Sequence, residues 1–121
     1  SIGWCFGGRW SLRTALLFPK ELDAAVIYYG AVSVPETELS TLRVPILGNF
    51  GALDRIVPAD TVVTFEATMK RLGKSVDVRV FEGANHGFAN PSGTVYQAEA
   101  AEESWRRTLA FLRRTLQKRA G

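Results

Sequence analysis

A single cysteine sits in the pattern Gly3-Trp4-Cys5-Phe6-Gly7-Gly8, directly before a run free of helix breakers. No other stretch limits the fold as much. Glycines two residues before the cysteine and two and three after it let the backbone reverse sharply, so that the central side chain stands exposed above the turn. A strand-to-helix turn of this kind, the nucleophile elbow, ordinarily carries serine, and here sulfur takes the place of oxygen. A lone cysteine is most often a buried, inert small hydrophobe; the flanking glycines argue against that state for Cys5.

The remainder of the chain alternates between two periods. Residues 8–18 lack breakers and read as a helix that Pro19 stops. Residues 23–29 form a short apolar run closed by Gly30, as a strand buried on both faces would. Residues 31–42 read as a loop with one helical turn, and 44–50 as a second buried strand with Pro45 near its start. Pro58 opens a helix to about residue 72, striped by Val62, Phe65, Met69 and Leu72 and stopped by Gly73. Residues 75–81 alternate as a third strand with one more exposed face. The final helix, 94–118, carries an apolar stripe of Val95, Ala98, Ala101, Trp105, Leu109, Leu112 and Leu116. Strands alternating with helices predict an α/β fold: about three parallel strands with helices on both faces, in one domain spanning 1–121.

Composition mainly excludes. At 46% hydrophobic and 22% charged, the chain is an ordinary globular sequence, not a disordered one. There is no apolar run near the roughly 20 residues that span a membrane, and no signal-peptide pattern. One cysteine excludes an internal disulfide, one Cys with one His cannot make a structural zinc site, and nothing calls for a cofactor. A cytoplasmic setting is the default expectation. The net charge of +3 is concentrated late, at Arg106, Arg107, Arg113, Arg114, Lys118 and Arg119. On a helix these make a solvated face and suit its negative end; without a reading motif or interleaved aromatics they do not predict nucleic-acid binding.

Cys5, Asp54 and His86 stand out as candidate chemistry, in the order nucleophile, acid, histidine that elbow folds use. Each falls near the carboxyl end of a predicted element, where open parallel sheets place their sites. A nearby imidazole and the positive end of the following helix favour the thiolate. His86 would take the thiol proton and return it to a leaving group, and Asp54 would fix the imidazole tautomer. The N–H of Phe6, the residue after the nucleophile, would supply one oxyanion donor. Asp60 competes with Asp54, but it falls in the first turn of the helix begun by Pro58, where an acid suits the dipole.

Taken together, these residues resemble the dienelactone hydrolase family of the α/β-hydrolases. The likeness runs through Gly3-Trp4-Cys5-Phe6-Gly7-Gly8, Tyr28-Tyr29-Gly30, Val44-Pro45-Ile46-Leu47-Gly48, Phe50-Gly51-Ala52-Leu53-Asp54, Phe81 to Phe88 and Ala100 to Trp105. The resemblance implies a Cys5-Asp54-His86 triad that hydrolyses small esters or lactones through a thioester, with Tyr29 and Phe88 beside the substrate. In that family about half of the domain precedes the elbow. A chain with only the C-terminal half is expected to be a partial α/β-hydrolase fold that leaves the strand at 23–29 as an apolar edge. Such a chain should not be a stable monomer; it should form a homodimer or join a complementing N-terminal half. The competing expectation is an inactive hydrolase fragment that works through association alone.

Overall fold

A computed structural model describes residues 1–117. Ala25–Tyr28 (β2) and Ile46–Gly51 (β3) are buried at every position, as apolar strands covered on both faces must be. They run parallel, with Val26 opposite Leu47 and Tyr28 opposite Asn49. Val76–Phe81 (β4) lies on the far side of β3 and alternates between exposed and half-buried residues over most of its length. A further strand, Ile2–Trp4 (β1), pairs in parallel with β2, Ile2 opposite Val26 and Trp4 opposite Tyr28. The sheet therefore has four strands in the order β1-β2-β3-β4, not about three, and β1 rather than the strand at 23–29 is its edge on that side. Three residues are too few for a two-residue period to show; main-chain pairing with β2 makes the strand.

Helices cover both faces. Phe6–Leu17 (α1) and Ala59–Arg71 (α3) bury Leu12, Ala15, Val62, Phe65 and Met69 against Ala25, Ile27, Ile46 and Phe50. The turn Glu36–Leu39 (α2) falls within the expected loop. It is tied to both helices by Arg13–Glu38 at 2.6 Å and by an Arg71–Glu36 ion pair. Gly73, at φ +71°, lets the chain leave α3 with Lys74 N–H bonded to Met69 C=O.

The opposite face belongs to Ala98–Leu116 (α4), whose Ala100 and Phe111 pack on Val26, Tyr28, Leu47 and Phe81. Its expected apolar stripe meets the sheet only in part: Leu112 packs on this core, but Trp105, Leu109 and Leu116 are 46%, 37% and 46% exposed. The buried positions are Ala100, Ser104, Thr108 and Phe111. Small side chains bring the helix close to the sheet, and their hydroxyls are satisfied there. Thr108 Oγ1–H donates to Ser104 C=O, and the same oxygen lies 3.0 Å from the Tyr28 hydroxyl. The expected end of this helix at Lys118 lies outside the described residues, as do Lys118 and Arg119.

Because all four strands are parallel, their carboxyl ends fall on one edge. Cys5, Tyr29, the loop holding Asp54 and the loop holding His86 leave the sheet there together.

Candidate active site

Cys5 (φ 58°, ψ −122°) and Tyr29 (φ 37°) are the non-glycine residues with left-handed backbone among the described residues, and both sit at this edge. Each such residue costs on the order of 1–3 kcal/mol and persists only where its surroundings over-determine it. Here Cys5 N–H donates to Tyr28 C=O at 2.9 Å, and Tyr29 N–H to Asn49 C=O at 2.8 Å. The glycines around Cys5 are not equivalent. A Cβ on Gly3 would lie 1.9 Å from Gly7 O, and one on Gly8 2.8 Å from Tyr28 O, whereas Gly7 has open space around it.

The three residues expected to act together are brought into one hydrogen-bonded line. Cys5 Sγ lies 2.9 Å from His86 Nε2, and His86 Nδ1 lies 2.8 Å from Asp54 Oδ2. The buried Asp54 carboxylate also accepts, on Oδ1, the N–H groups of Ile56 and Val57 at 2.8 and 2.9 Å. A carboxylate only accepts, so Nδ1–H donates to Asp54 and the Nε2 lone pair is left facing the sulfur. That geometry can move a proton between Cys5 and His86. Asp60, the competing acid, accepts the N–H of Thr61 in the first turn of α3. Phe6 opens α1, so its N–H is among the first-turn donors that no helical carbonyl can satisfy.

Tyr29 packs edge-on against Phe88 and at a tilt against the His86 ring, with centroids 5.2 Å apart in both cases. Burial pushes its phenol up to about 12; a hydrogen bond from the Ala89 backbone opposes the rise, and Cys5 and Tyr28 add to it. Phe88 departs from expectation. It is fully buried among Tyr28, Tyr29 and Phe81, so it backs Tyr29 rather than facing the cleft.

Two clefts flank Cys5 and share Tyr29. One, of about 440 Å³, is bounded by Trp4, Gly87, Ala89 and Asn90. The other, of about 250 Å³, is bounded by Phe6, Arg9, Ala31, Ile56, Val57 and His86. Motif reading passed over Trp4, Arg9, Ile56 and Val57. Arg9 could have been found from its position four residues after Cys5, one turn along the same helix face. No helix among the described residues is long and apolar enough to cross a membrane.

Comparison with known proteins agrees with this architecture. The model of the dienelactone hydrolase family matches residues 1–116. A Saccharolobus solfataricus protein provisionally named a carboxymethylenebutenolidase is 33% identical over 114 residues, which are 94% of this chain and 43% of that protein. Protein usf of Aquifex pyrophilus is 31% identical over 94% of this chain and 50% of its own. Among solved structures, one from Klebsiella pneumoniae, provisionally titled a dienelactone hydrolase, superposes with a TM-score of 0.83 at 30% identity. It covers 90% of this chain and 49% of that one. The chain thus spans about half the length of the relatives it matches.

Proposed function

This chain belongs to the dienelactone hydrolase family, and from that membership we propose that it is the nucleophile-bearing part of a cysteine hydrolase of small esters or lactones. The observation that supports this reading is the line from Cys5 Sγ through His86 to Asp54. In the proposed cycle, Sγ attacks the substrate carbonyl while His86 Nε2 takes the thiol proton. The developing oxyanion meets the Phe6 N–H. Collapse expels the alcohol, which leaves with the proton from His86, and the acyl group remains on Cys5 as a thioester. Water then attacks the thioester with His86 as base, releasing the acid and restoring the thiol. Asp54 holds the imidazole in the tautomer that both steps need. Tyr29, which lines both clefts, contacts the substrate beside Cys5.

The unpaired edge of β1 supports a partner for the same site. Trp4, on that strand, and Trp105, which lines the same cleft, are 42% and 46% exposed. The partner is a complementing polypeptide that lays a strand beside β1 and covers these rings, in keeping with relatives about twice as long. A second copy pairing edge to edge is the competing arrangement, and light scattering at micromolar concentration separates them: a compact monomer would refute both. The competing reading of the whole chain is association without turnover. A p-nitrophenyl acetate burst compared between the wild type and Cys5→Ala decides it. One acyl group per chain in the wild type and none in the variant is expected, and equal traces would leave only association.

A further inference from the structure

The two clefts beside Cys5 have only Cys5 and Tyr29 in common. Each is walled by an apolar side chain that is exposed yet fixed. In the larger, Trp4 is paired into β1 and stacks on Tyr28 with ring centroids 5.3 Å apart. In the smaller, Ile56 is 72% exposed, but Asp54 Oδ1 accepts its N–H and that of Val57, so the acid of the triad also holds this wall in place. Exposed apolar groups on a rigid frame beside a nucleophile suit contact with a ligand. His86 lines the smaller cleft and not the larger.

That difference orients a substrate. Sγ bonds to the carbonyl carbon as Nε2 takes the thiol proton; when the C–O bond breaks, the same proton goes to the leaving oxygen. The leaving oxygen therefore lies within reach of Nε2, in the smaller cleft, and the acyl arm falls to the larger. Departure of the alcohol clears the space beside Nε2 for the water that cleaves the thioester. An open-chain ester suits such a pair of clefts. Its planar –CO–O– group prefers the conformer with acyl and alcohol carbons trans, so the two arms diverge from the carbonyl. A small ring forces the same carbons cis, so a lactone occupies one cleft and leaves the other empty.

We propose that this site selects open-chain esters over small-ring lactones, with Trp4 choosing the acyl arm and Ile56 the alcohol arm. The larger cleft, walled by Trp4, Gly87 and Ala89, takes the bulkier acyl group, aromatic or branched. The smaller, walled by Phe6, Ile56 and Val57, takes a shorter apolar alcohol. The proposal rests on the reading of Cys5 as nucleophile and His86 as proton donor, so its test has one arm that needs turnover and one that does not.

In the first arm, mass spectrometry follows acylation of Cys5, the sole cysteine of the chain. Butyl benzoate and its isomeric counterpart 6-phenyl-δ-valerolactone are compared, each rate normalised to that with a small free thiol. The open-chain ester should be favoured roughly tenfold, the scale of one or two apolar groups gaining or losing a wall. Lengthening the acyl group of a methyl ester should help the wild type and not Trp4→Ala, whereas lengthening the alcohol of an acetate should help the wild type and not Ile56→Ala. Trp4→Phe, which keeps a ring to stack on Tyr28, replaces Trp4→Ala if circular dichroism shows that variant unfolded. A normalised preference for the lactone, or both variants acting on the same arm, overturns the proposal while leaving Cys5 a nucleophile.

The second arm uses amides that Cys5 does not cleave. A secondary amide such as N-butylbenzamide holds its two arms trans, and 6-phenylpiperidin-2-one holds the corresponding carbons cis in its ring. Each is titrated for protection of Cys5 from iodoacetamide. The open-chain amide should protect at roughly tenfold lower concentration, a preference that Trp4→Ala and Ile56→Ala each reduce. If no ester acylates Cys5 yet this preference holds, the hydrolase reading falls and the pair of clefts stands. Equal protection by amide and lactam overturns the proposal whether or not Cys5 is acylated.

Discussion

His86 Nδ1 lies 2.8 Å from Asp54 Oδ2, while the other oxygen of that carboxylate is held by the N–H groups of Ile56 and Val57. One side of the carboxylate therefore fixes the loop and the other fixes the ring. Asp54→Asn separates the two duties. The amide oxygen can still accept from Ile56 and Val57, so the loop survives. The amide nitrogen then faces Nδ1 and forces it to accept, which places the imidazole proton on Nε2 and removes the base facing Cys5. Acylation by p-nitrophenyl acetate should fall about 10²–10⁴-fold, with a melting curve near that of the wild type. Retained acylation would remove Asp54 from the mechanism.

The glycines of the elbow should respond in opposite directions. A Cβ at residue 3 would meet Gly7 O at 1.9 Å, a clash with backbone that cannot be relieved without breaking the turn. Gly3→Ala should cost more than about 3 kcal/mol or prevent folding. Gly7 lies inside α1, and nothing stands within 4 Å of the place its Cβ would take, so Gly7→Ala should gain up to about 1 kcal/mol from helix propensity. Urea midpoints compare the two, and equal destabilisation would show that the turn needs glycine at both places.

How far sequence led here depended on what kind of force places each residue. Cys5, Asp54 and His86 could be picked out because turn chemistry and the parallel-sheet edge are written in local patterns, and the fold brings their side chains within hydrogen-bond reach. The buried side of α4 could not. A hydrophobic stripe selects Trp105 and Leu109, but the sheet selects Ser104 and Thr108, small enough for close approach and supplied with hydrogen-bond partners. Nor does any local signal give Tyr29 its positive φ, since neither glycine nor asparagine stands there; the bond from Tyr29 N–H to Asn49 C=O and packing on His86 and Phe88 impose it.

The link between β2 and α4 should show an asymmetry. Thr108 Oγ1–H donates to Ser104 C=O, so the Tyr28 hydroxyl is the donor in the 3.0 Å contact with Thr108. Tyr28→Phe removes the donor and leaves Thr108 with its own acceptor. Thr108→Val strands a buried phenol, at a cost of about 1–3 kcal/mol. Thr108→Val should therefore be the more damaging single change, and Tyr28→Phe added to it should recover part of the loss. A double-mutant cycle from urea unfolding measures this, and strict additivity would deny the bond any energetic weight.

Stability at alkaline pH should report on Tyr29, whose phenol is raised from its ordinary value of 10.0 to about 12, chiefly by burial. The sign follows from which state holds the proton. Below about pH 10 the phenol is neutral in both folded and unfolded chains and contributes no slope. Between about 10 and 12 the unfolded chain ionises Tyr29 while the folded chain keeps it neutral, so stability falls with rising pH, by at most about 2–3 kcal/mol over two units. The measured quantity is the difference between wild type and Tyr29→Phe, in which contributions common to both chains cancel. The variant should be slightly less stable near pH 9, having lost the hydrogen bond from Ala89. It should lose less on going to about pH 11.5, so that the two curves converge or cross. Parallel curves over that interval would mean that Tyr29 ionises as freely in the folded protein as in the unfolded one, and that its ring is not held in the dry contact with His86 on which its place in the site depends.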